Sequence, residues 1–286
     1  MLYKMSSDSL LKMKIANWLQ LNIQLLTEHN ITSPRLDCLL LLEDLLQKNR
    51  ASILAHLDDE LNTQQLQLLS RSIARRKKHV PISYIRGRSK FYKREFIVTE
   101  NVLQPRPESE HIIDLFKIIP DRQQTVIDLG TGSGALIITI AHEASARNLI
   151  AVDIDPSCIE VAKKNATVHN ANINFINSNL LQNVDQKLLE NSIIIANLPY
   201  VPNEYRLNKA AYHEPSLAIF GGKDGLDIYR KLFEQINSMR QADYIITECL
   251  KFQHNSLRKL AEANDYIEIA RKNLIQLFTV RGRPQE

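Results

Sequence analysis

The chain has 286 residues, 44% of them hydrophobic and 24% charged, with a formal net charge of +4. That composition excludes a disordered or fibrous chain, and the length suggests about two domains around sizeable cores. The mild positive balance permits an acidic or nucleic-acid partner without requiring one. Three cysteines, Cys38, Cys158 and Cys249, lie far apart, each in an apolar segment. They outline neither a disulfide framework nor a metal site and read as packed thiols of a reducing compartment. The opening "MLYKMSSDSLLKMK" carries lysines inside its only apolar patch and has no small-residue cleavage site. It does not read as a signal peptide, and runs such as "CLLLL" at 38–42 are too short to cross a bilayer. The expectation is a soluble, cytoplasmic protein.

From about residue 8 to 78 the spacing is helical, with no strand signal. "SLLKMKIANWLQLNIQLL" places Leu11, Ile15, Trp18, Leu19, Leu25 and Leu26 near one face, interrupted by Asn22. Ser33 and Pro34 offer an N-cap and a first-turn proline for "RLDCLLLLEDLLQK". A third helix is expected over about 60–78, ended by Pro81. Its basic run "ARRKKH", residues 74–79, reads as a solvated helix face. Residues 1–83 thus form a small helical bundle. "FYKREFIVTENVL", 91–103, alternates aromatic and β-branched residues with polar ones and predicts a short hairpin within a linker over 84–106. "QPRPESE" is a stiff loop leading to a helix near Pro107.

From Gln124 onward strands and helices alternate. "TVIDLG", "NLIAVDID", "INFIN", "SIIIAN" and "ADYIITEC" read as strands. "SGALIITIAHEA", "PSCIEVAKKNATVHN", "GLDIYRKLFEQINSM" and a stretch near 254–263 read as helices. Such alternation implies right-handed crossovers and a parallel sheet over 107–286. "YIEIA" and "LIQLFTV" have no helix between them and should close one edge as an antiparallel hairpin.

"VIDLGTGSGAL" puts Gly130, Gly132 and Gly134 at a strand-to-helix turn, where glycine allows positive φ and close approach of a ligand. Asp153 ends the next strand, where a carboxylate can accept from both ribose hydroxyls of a nucleoside cofactor. Gly130, Gly132 and Ala135 also fit a dinucleotide pattern, so a nicotinamide dinucleotide and S-adenosylmethionine both remain open at this point. Asp128, two residues before Gly130, gives D-x-G-x-G-x-G, which resembles the first motif of class I S-adenosylmethionine-dependent methyltransferases; it could equally cap a helix.

"IIIANLPYVP", 193–202, separates the two readings. Asn197 falls at a strand's carboxyl end, where doubly wound sheets bind ligands. Its amide oxygen and the carbonyl of Leu198 form a pair of acceptors for one planar –NH2 group. Pro199 stiffens the backbone behind that carbonyl, and Tyr200 offers a flat ring. Such a pair aims the sluggish lone pair of an amide or aryl amine at a methyl donor, with orientation supplying most of the rate.

This stretch resembles the [ND]-[PLI]-P-[YF] motif of methyltransferases that act on planar nitrogens. With "SPRLDCLLLL", "RRKKHVPISYIRGRSKFYKREFIVTENVLQPRPESE", "DLGTGSGAL", "AVDID" and "HEPSLAIFGGKDGLDIYRKL", the chain resembles the HemK-type protein-glutamine methyltransferases over about 250 residues. Those enzymes modify the glutamine of the Gly-Gly-Gln loop in peptide chain release factors. The R-P-E-[TS]-E and E-P-x-x-A-x-x-G-G-x-D-G-L elements are its most specific parts. The resemblance implies an α/β fold: a Rossmann-like class I methyltransferase sheet with an antiparallel C-terminal hairpin, preceded by the helical bundle as a substrate-docking domain. It implies S-adenosylmethionine bound by Gly130, Thr131, Gly132, Ser133, Gly134, Asp153, Asn179, Leu180 and Asn197. Asn197, Pro199 and Tyr200 would be catalytic. The substrate glutamine would meet Asn197, Leu198, Pro199 and Tyr200, walled by Arg106, Pro107, Glu110, Glu214 and Pro215. The implied partner is a release factor, with a monomeric enzyme, no metal, and no membrane or direct nucleic-acid substrate.

The chain departs from the family pattern in four places. Leu198 stands where the first proline of Asn-Pro-Pro-Tyr is usual, a form familiar from ribosomal RNA adenine N6-dimethyltransferases. Asn179 replaces an expected aspartate beside adenine, Leu180 a larger side chain, and "ECLKFQ" at 248–253 lacks a glycine after the glutamate. Three other readings compete: glutamine methylation of a ribosomal protein, N6-adenine methylation of RNA or DNA, and a non-catalytic binding module. The adenine reading is weakened because no basic-aromatic stretch is interleaved for bases. The "GGKDG" segment near 222 lacks the elements of a phosphate-binding loop and reads as closing a turn before helix 225–238.

Overall fold

Periodic apolar spacing gives the first helices of the computed structural model, which describes residues 12–120, 124–144, 148–239 and 242–282. Chain contacts divide it into two compact units, Met1–Arg86 and Gly87–Glu286. In the first, α1 (Ile15–Glu28), α2 (Pro34–Leu46), α3 (Arg50–Ala55), α4 (Thr63–Lys77) and α5 (Ile82–Arg86) surround a core that includes Trp18, Leu26, Leu42, Ile53 and Leu69. Leu11 and the expected start of the first helix lie outside the described residues. The helix begins at Ile15 because Met13–Lys14 (β1) pairs antiparallel with Glu60–Leu61 (β2), a ladder that helical periodicity does not reveal. Asn22, the polar interruption, turns back to donate to Trp18 O at 2.8 Å. Pro34 does open α2, but Ser33 makes no cap bond; its hydroxyl donates instead to Asp37 Oδ1 at 3.0 Å. Asn62 and Gln65 form a reciprocal capping box that starts α4. The basic run is not wholly solvated, since Arg76 is buried and donates from Nε to Asp37 Oδ2 at 2.7 Å.

The second unit opens with a hairpin of β3 (Arg88–Phe91) and β4 (Arg94–Ile97). It lies earlier than the alternation over 91–103 predicts. Its two-residue turn is Tyr92–Lys93, at φ 45° and 66°, a left-handed pair without the glycine or asparagine that normally signals one. A 3-10 turn at Pro107–Ser109 leads into α6 (Glu110–Phe116). Then follow β5 (Thr125–Leu129), α7 (Ala135–Glu143), β6 (Asn148–Asp153), α8 (Pro156–Val168), β7 (Asn174–Asn177), β8 (Ser192–Ala196), α9 (Asp227–Asn237), β9 (Tyr244–Glu248), α10 (His254–Glu262), β10 (Tyr266–Lys272) and β11 (Ile275–Val280).

These strands form one seven-stranded sheet in the order β7-β6-β5-β8-β9-β11-β10. The first five are parallel to one another, and β11 runs antiparallel between β9 and β10. β5 and β8 are buried nearly throughout because helices cover both faces of the sheet. Alternate residues feed two cores. Ile127, Ile194 and Ile245 pack with Tyr229, Leu232 and Phe233 of α9, whereas Val126, Ile193 and Ile246 pack with Ile112 of α6 and Ile137 of α7. Burying a side chain such as Phe233 contributes roughly 1.5–3 kcal/mol. Successive crossovers run to one side of β5 through β6 and β7, and the chain then returns to β8 on the other side. That reversal opens a crevice at the strands' carboxyl ends, where Gly130, Asp153 and Asn197 follow or end their strands.

Candidate active site

The glycine loop is pinned to the neighbouring strand, since the backbone N–H groups of Gly130 and Thr131 both donate to Val152 O, at 2.8 and 2.9 Å. Gly130 and Gly132 take left-handed conformations (φ 71° and 54°) that side-chain-bearing residues rarely adopt. Asp153 accepts from Gly132 N at 2.9 Å through Oδ2 and from Asp155 N at 3.0 Å through Oδ1. Burial raises its pKa, and these backbone donors oppose that rise. Gly130, Gly132, Asp153, Asn179, Leu180 and Asn197 all line one cavity, together with Leu198 and Pro199. Thr131, Ser133 and Gly134 are absent from its wall. Thr131 Oγ1 donates to the buried Asp128 at 2.7 Å, and Ser133 O accepts from Asn165 Nδ2 at 2.8 Å. Asn165 also exchanges hydrogen bonds with Ile97 of the hairpin, so it joins β4 to the back of the loop. Gly134 precedes α7 at φ 78°, close against Ala162. Burial pushes the Asp128 carboxyl up to about 7, with the Thr131 bond working against that rise.

A second cavity adjoins the first. Arg106, Tyr200, Glu214 and Glu248 line it, and it shares Leu103, Asn197, Leu198 and Ala218 with the first. Asn197 is therefore in the wall common to both. The Arg106 guanidinium donates to Glu214, a carboxylate whose pKa burial raises and Arg106 holds back. Asn197 Nδ2 donates to Ser109 Oγ at 3.1 Å, Ser109 Oγ donates to Glu248 Oε2 at 2.7 Å, and the Tyr200 hydroxyl donates to Glu248 Oε1 at 2.9 Å. Pro199 lines the first cavity, not the second. Pro107 and Glu110 line neither; Glu110 accepts from Tyr92 N at 2.8 Å and so braces the hairpin turn, while Pro215 lies in the wall of the first cavity. The Leu198 side chain is buried beside Gly130, so in place of a proline ring this position has an apolar anchor.

The bed under residues 197–201 is the segment read from sequence as a mere turn. Val201 pairs with Phe220, with Val201 N donating to Ile219 O and Gly221 N to Val201 O. A Cβ on Gly221 would lie 2.3 Å from Pro199 O, and one on Gly225 2.1 Å from Tyr200 O. Both glycines are needed for this close backbone approach. Gln253 Nε2 donates to Tyr200 O and Asp224 O at 2.8 and 2.7 Å, tying the two segments together. The Tyr229 hydroxyl lies 2.8 Å from Ala196 O and 2.6 Å from Glu248 O, bridging the ends of β8 and β9. Ser109, Glu248 and Gln253 are absent from the site expected from sequence. All three lie in quoted segments, but Ser109 and Glu248 are 139 residues apart, and nothing in the spacing joins them.

Residues 17–87 match the PrmC N-terminal domain, and residues 110–214 match the methyltransferase small domain. The release factor glutamine methyltransferase of Coxiella burnetii is 34% identical over 241 residues, which are 83% of this chain and 86% of that protein. The chain belongs to the release factor glutamine methyltransferase family. The family member from Bacillus anthracis is 34% identical over 209 residues, 70% of this chain and 74% of its own length. A bifunctional methyltransferase of Rickettsia felis is 30% identical over 87% of this chain, a match that spans 54% of that protein. The seven-stranded sheet with its antiparallel hairpin is accordingly the Rossmann-like class I methyltransferase fold expected from sequence. Among the described residues, no helix is long and apolar enough to cross a membrane.

Proposed function

We propose that this enzyme transfers a methyl group from S-adenosylmethionine to the side-chain amide nitrogen of the glutamine in the Gly-Gly-Gln loop of a peptide chain release factor. The observation that carries this reading is Asn197, half-buried in the wall common to both cavities. The residues of the first cavity fit the cofactor. Left-handed glycines keep its floor clear of side chains, and each Asp153 oxygen, already accepting one backbone N–H, keeps a lone pair for a ribose hydroxyl. Asn179 and Leu180 offer an amide and an apolar wall for adenine. When bound, the cofactor supplies an electrophilic methyl on sulfur.

The protein's own part is orientation. Asn197 Oδ1 and the Leu198 carbonyl accept the two N–H groups of the substrate amide, which favours pyramidalisation and turns the nitrogen lone pair toward the first cavity. With the methyl donor held against the glycine loop and Asp153, the nitrogen would take the methyl as its bond to sulfur broke, leaving that electron pair on sulfur, and the alkylated nitrogen would pass one proton to water. Tyr200 packs its ring on the amide plane, and Arg106 with Glu214 bounds the substrate side. Pro199, on the cofactor side, stiffens the turn behind the Leu198 carbonyl. Thr131, Ser133 and Gly134 hold the glycine loop in shape from behind the cavity. The helical unit serves as the docking surface for the factor, because a macromolecular substrate needs more contact area than the catalytic pocket provides. The enzyme acts as a monomer, a reading supported by all these site residues lying in one unit of the chain. It acts on protein and not on nucleic acid, a reading supported by the absence of an interleaved basic-aromatic stretch in the sequence.

The test is transfer of labelled methyl to a release factor, to its Gln→Ala loop variant, and to ribosomal RNA. Label confined to the intact factor is the expected result; label in RNA alone would overturn the proposal. Asn197→Ala should abolish transfer while weakening cofactor binding no more than several-fold.

A further inference from the structure

Glu248 is buried at the end of β9 and faces two hydroxyls, Ser109 at 2.7 Å and Tyr200 at 2.9 Å. An ionised carboxylate only accepts, so both hydroxyls must give it their protons. Ser109 then has no proton left for its other neighbour. Toward Asn197, 3.1 Å away, it can only accept, so the asparagine must present Nδ2 to it. One N–H of Nδ2 is spent on Ser109, and the acceptor that the amide has left to offer is Oδ1. Among the described residues no donor reaches this oxygen. Burial raises the Glu248 carboxyl, and the bonds from Ser109 and Tyr200 hold it back toward the ionised form that the chain of donors needs.

We propose that Ser109 and Glu248 are positioning residues that fix which way round the Asn197 amide sits, so that its oxygen and not its –NH2 meets the substrate nitrogen. The inference rests on the reading above, in which Asn197 Oδ1 accepts a substrate N–H. With the amide reversed, two N–H donors would face each other and the acceptor pair would be lost. The Ser109 backbone belongs to the Pro107–Ser109 turn and Glu248 to the central sheet, so the orientation is set by the fold and not by the substrate. Tyr200 shares the same carboxylate, so the ring that covers the substrate amide and the amide that accepts from it are held by one anion.

The experiment compares Ser109→Ala, Ser109→Thr and Glu248→Gln in the full chain, with a release factor and labelled cofactor. Ser109→Ala should lower kcat about tenfold, the loss expected for one misplaced buried hydrogen bond, with cofactor Kd changed less than about threefold. Threonine, which the R-P-E-[TS]-E pattern admits, keeps the hydroxyl and should restore kcat to within about threefold of the parent. Glu248→Gln should show the same kcat loss, because its amide can donate to Ser109 and free that hydroxyl to turn toward Asn197. Combining it with Ser109→Ala should add little, since both act through one group. The Asn197 side-chain N–H signals, assigned by their loss in Asn197→Ala, should move in Ser109→Ala even without substrate. The inference is overturned if Ser109→Ala keeps kcat within about twofold, if threonine fails to rescue, or if the single losses multiply. An unlabelled factor with the parent enzyme would instead remove the proposed function, and this inference with it. If alanine at 109 unfolds the chain, the Glu248→Gln kcat and Asn197 signals decide alone.

Discussion

Gly221→Ala isolates the bed beneath the catalytic turn. Gly221 has no left-handed backbone, so alanine meets no conformational penalty there and the effect is one of space alone. Its Cβ would sit 2.3 Å from Pro199 O and 2.4 Å from Gly225 O, whereas such contacts essentially never fall below 3.0 Å. Both neighbours are backbone, so the two segments must part by at least about 0.7 Å. Overpacking of this kind costs about 1–3 kcal/mol of stability. Displacing a positioning group by about 1 Å can cost roughly 100-fold in rate, so a shift of this size should lower kcat by about 10- to 100-fold. Cofactor affinity should change much less, because the atoms nearest that Cβ belong to Pro199 and Gly225 and not to the glycine loop or Asp153. The assay is steady-state methyl transfer beside cofactor binding by calorimetry. A folded variant with kcat within about threefold of the parent would refute the claim that this glycine sets the position of the turn.

Asp153→Ala removes the acceptor of Gly132 N and Asp155 N as well as the proposed ribose contact, so cofactor Kd should rise by about tenfold or more in calorimetry. Asp128, with its folded pKa near 7 against 3.8 unfolded, binds its proton more tightly when folded, so its contribution to stability falls as pH rises from about 4 through 7. Asp128→Asn removes that titration while keeping an acceptor for Thr131. The decline of Tm over the same window should become shallower, and an unchanged slope in scanning calorimetry would contradict the assignment. Asp37→Ala leaves the Arg76 guanidinium buried without its carboxylate and should cost about 3–5 kcal/mol in urea unfolding, while Asp37→Leu with Arg76→Met should recover most of it.

The strands of the main sheet were legible because helices on both faces demand apolar runs such as "SIIIA", and the helices between them carry 3.6-residue spacing. The proline that opens "PSCIEVAKKNATVHN" marked the start of α8, and the structure adds the cap, with Asp155 Oδ1 accepting from Ser157 N. The β3–β4 hairpin was misplaced because Tyr92 and Lys93 adopt a left-handed turn that such residues rarely take; Glu110 compensates from α6 by accepting from Tyr92 N. The β1–β2 ladder escaped because two residues per strand give no period. In the site, Asn197, Gly130 and Asp153 were readable because each sits at the end of its own strand. Ser109 and Glu248 were not, because their roles arise from a contact between segments that only the folded sheet brings together. The buried Arg76 shows the same limit, since a charged residue's partner 39 positions away leaves no local mark.

β11 lies between β9 and β10, and β10 has no other neighbour in the sheet. One strand of six residues, Ile275–Val280, therefore closes two open edges at once. A single cut at the tight Asn273–Leu274 link would sever β10 from the strand that pairs with it. Loss of that strand would leave the β9 edge unpaired and open to pairing with another molecule. Protection of this link against proteases should therefore report, in a simple gel assay, whether a given variant has completed the sheet that carries Glu248.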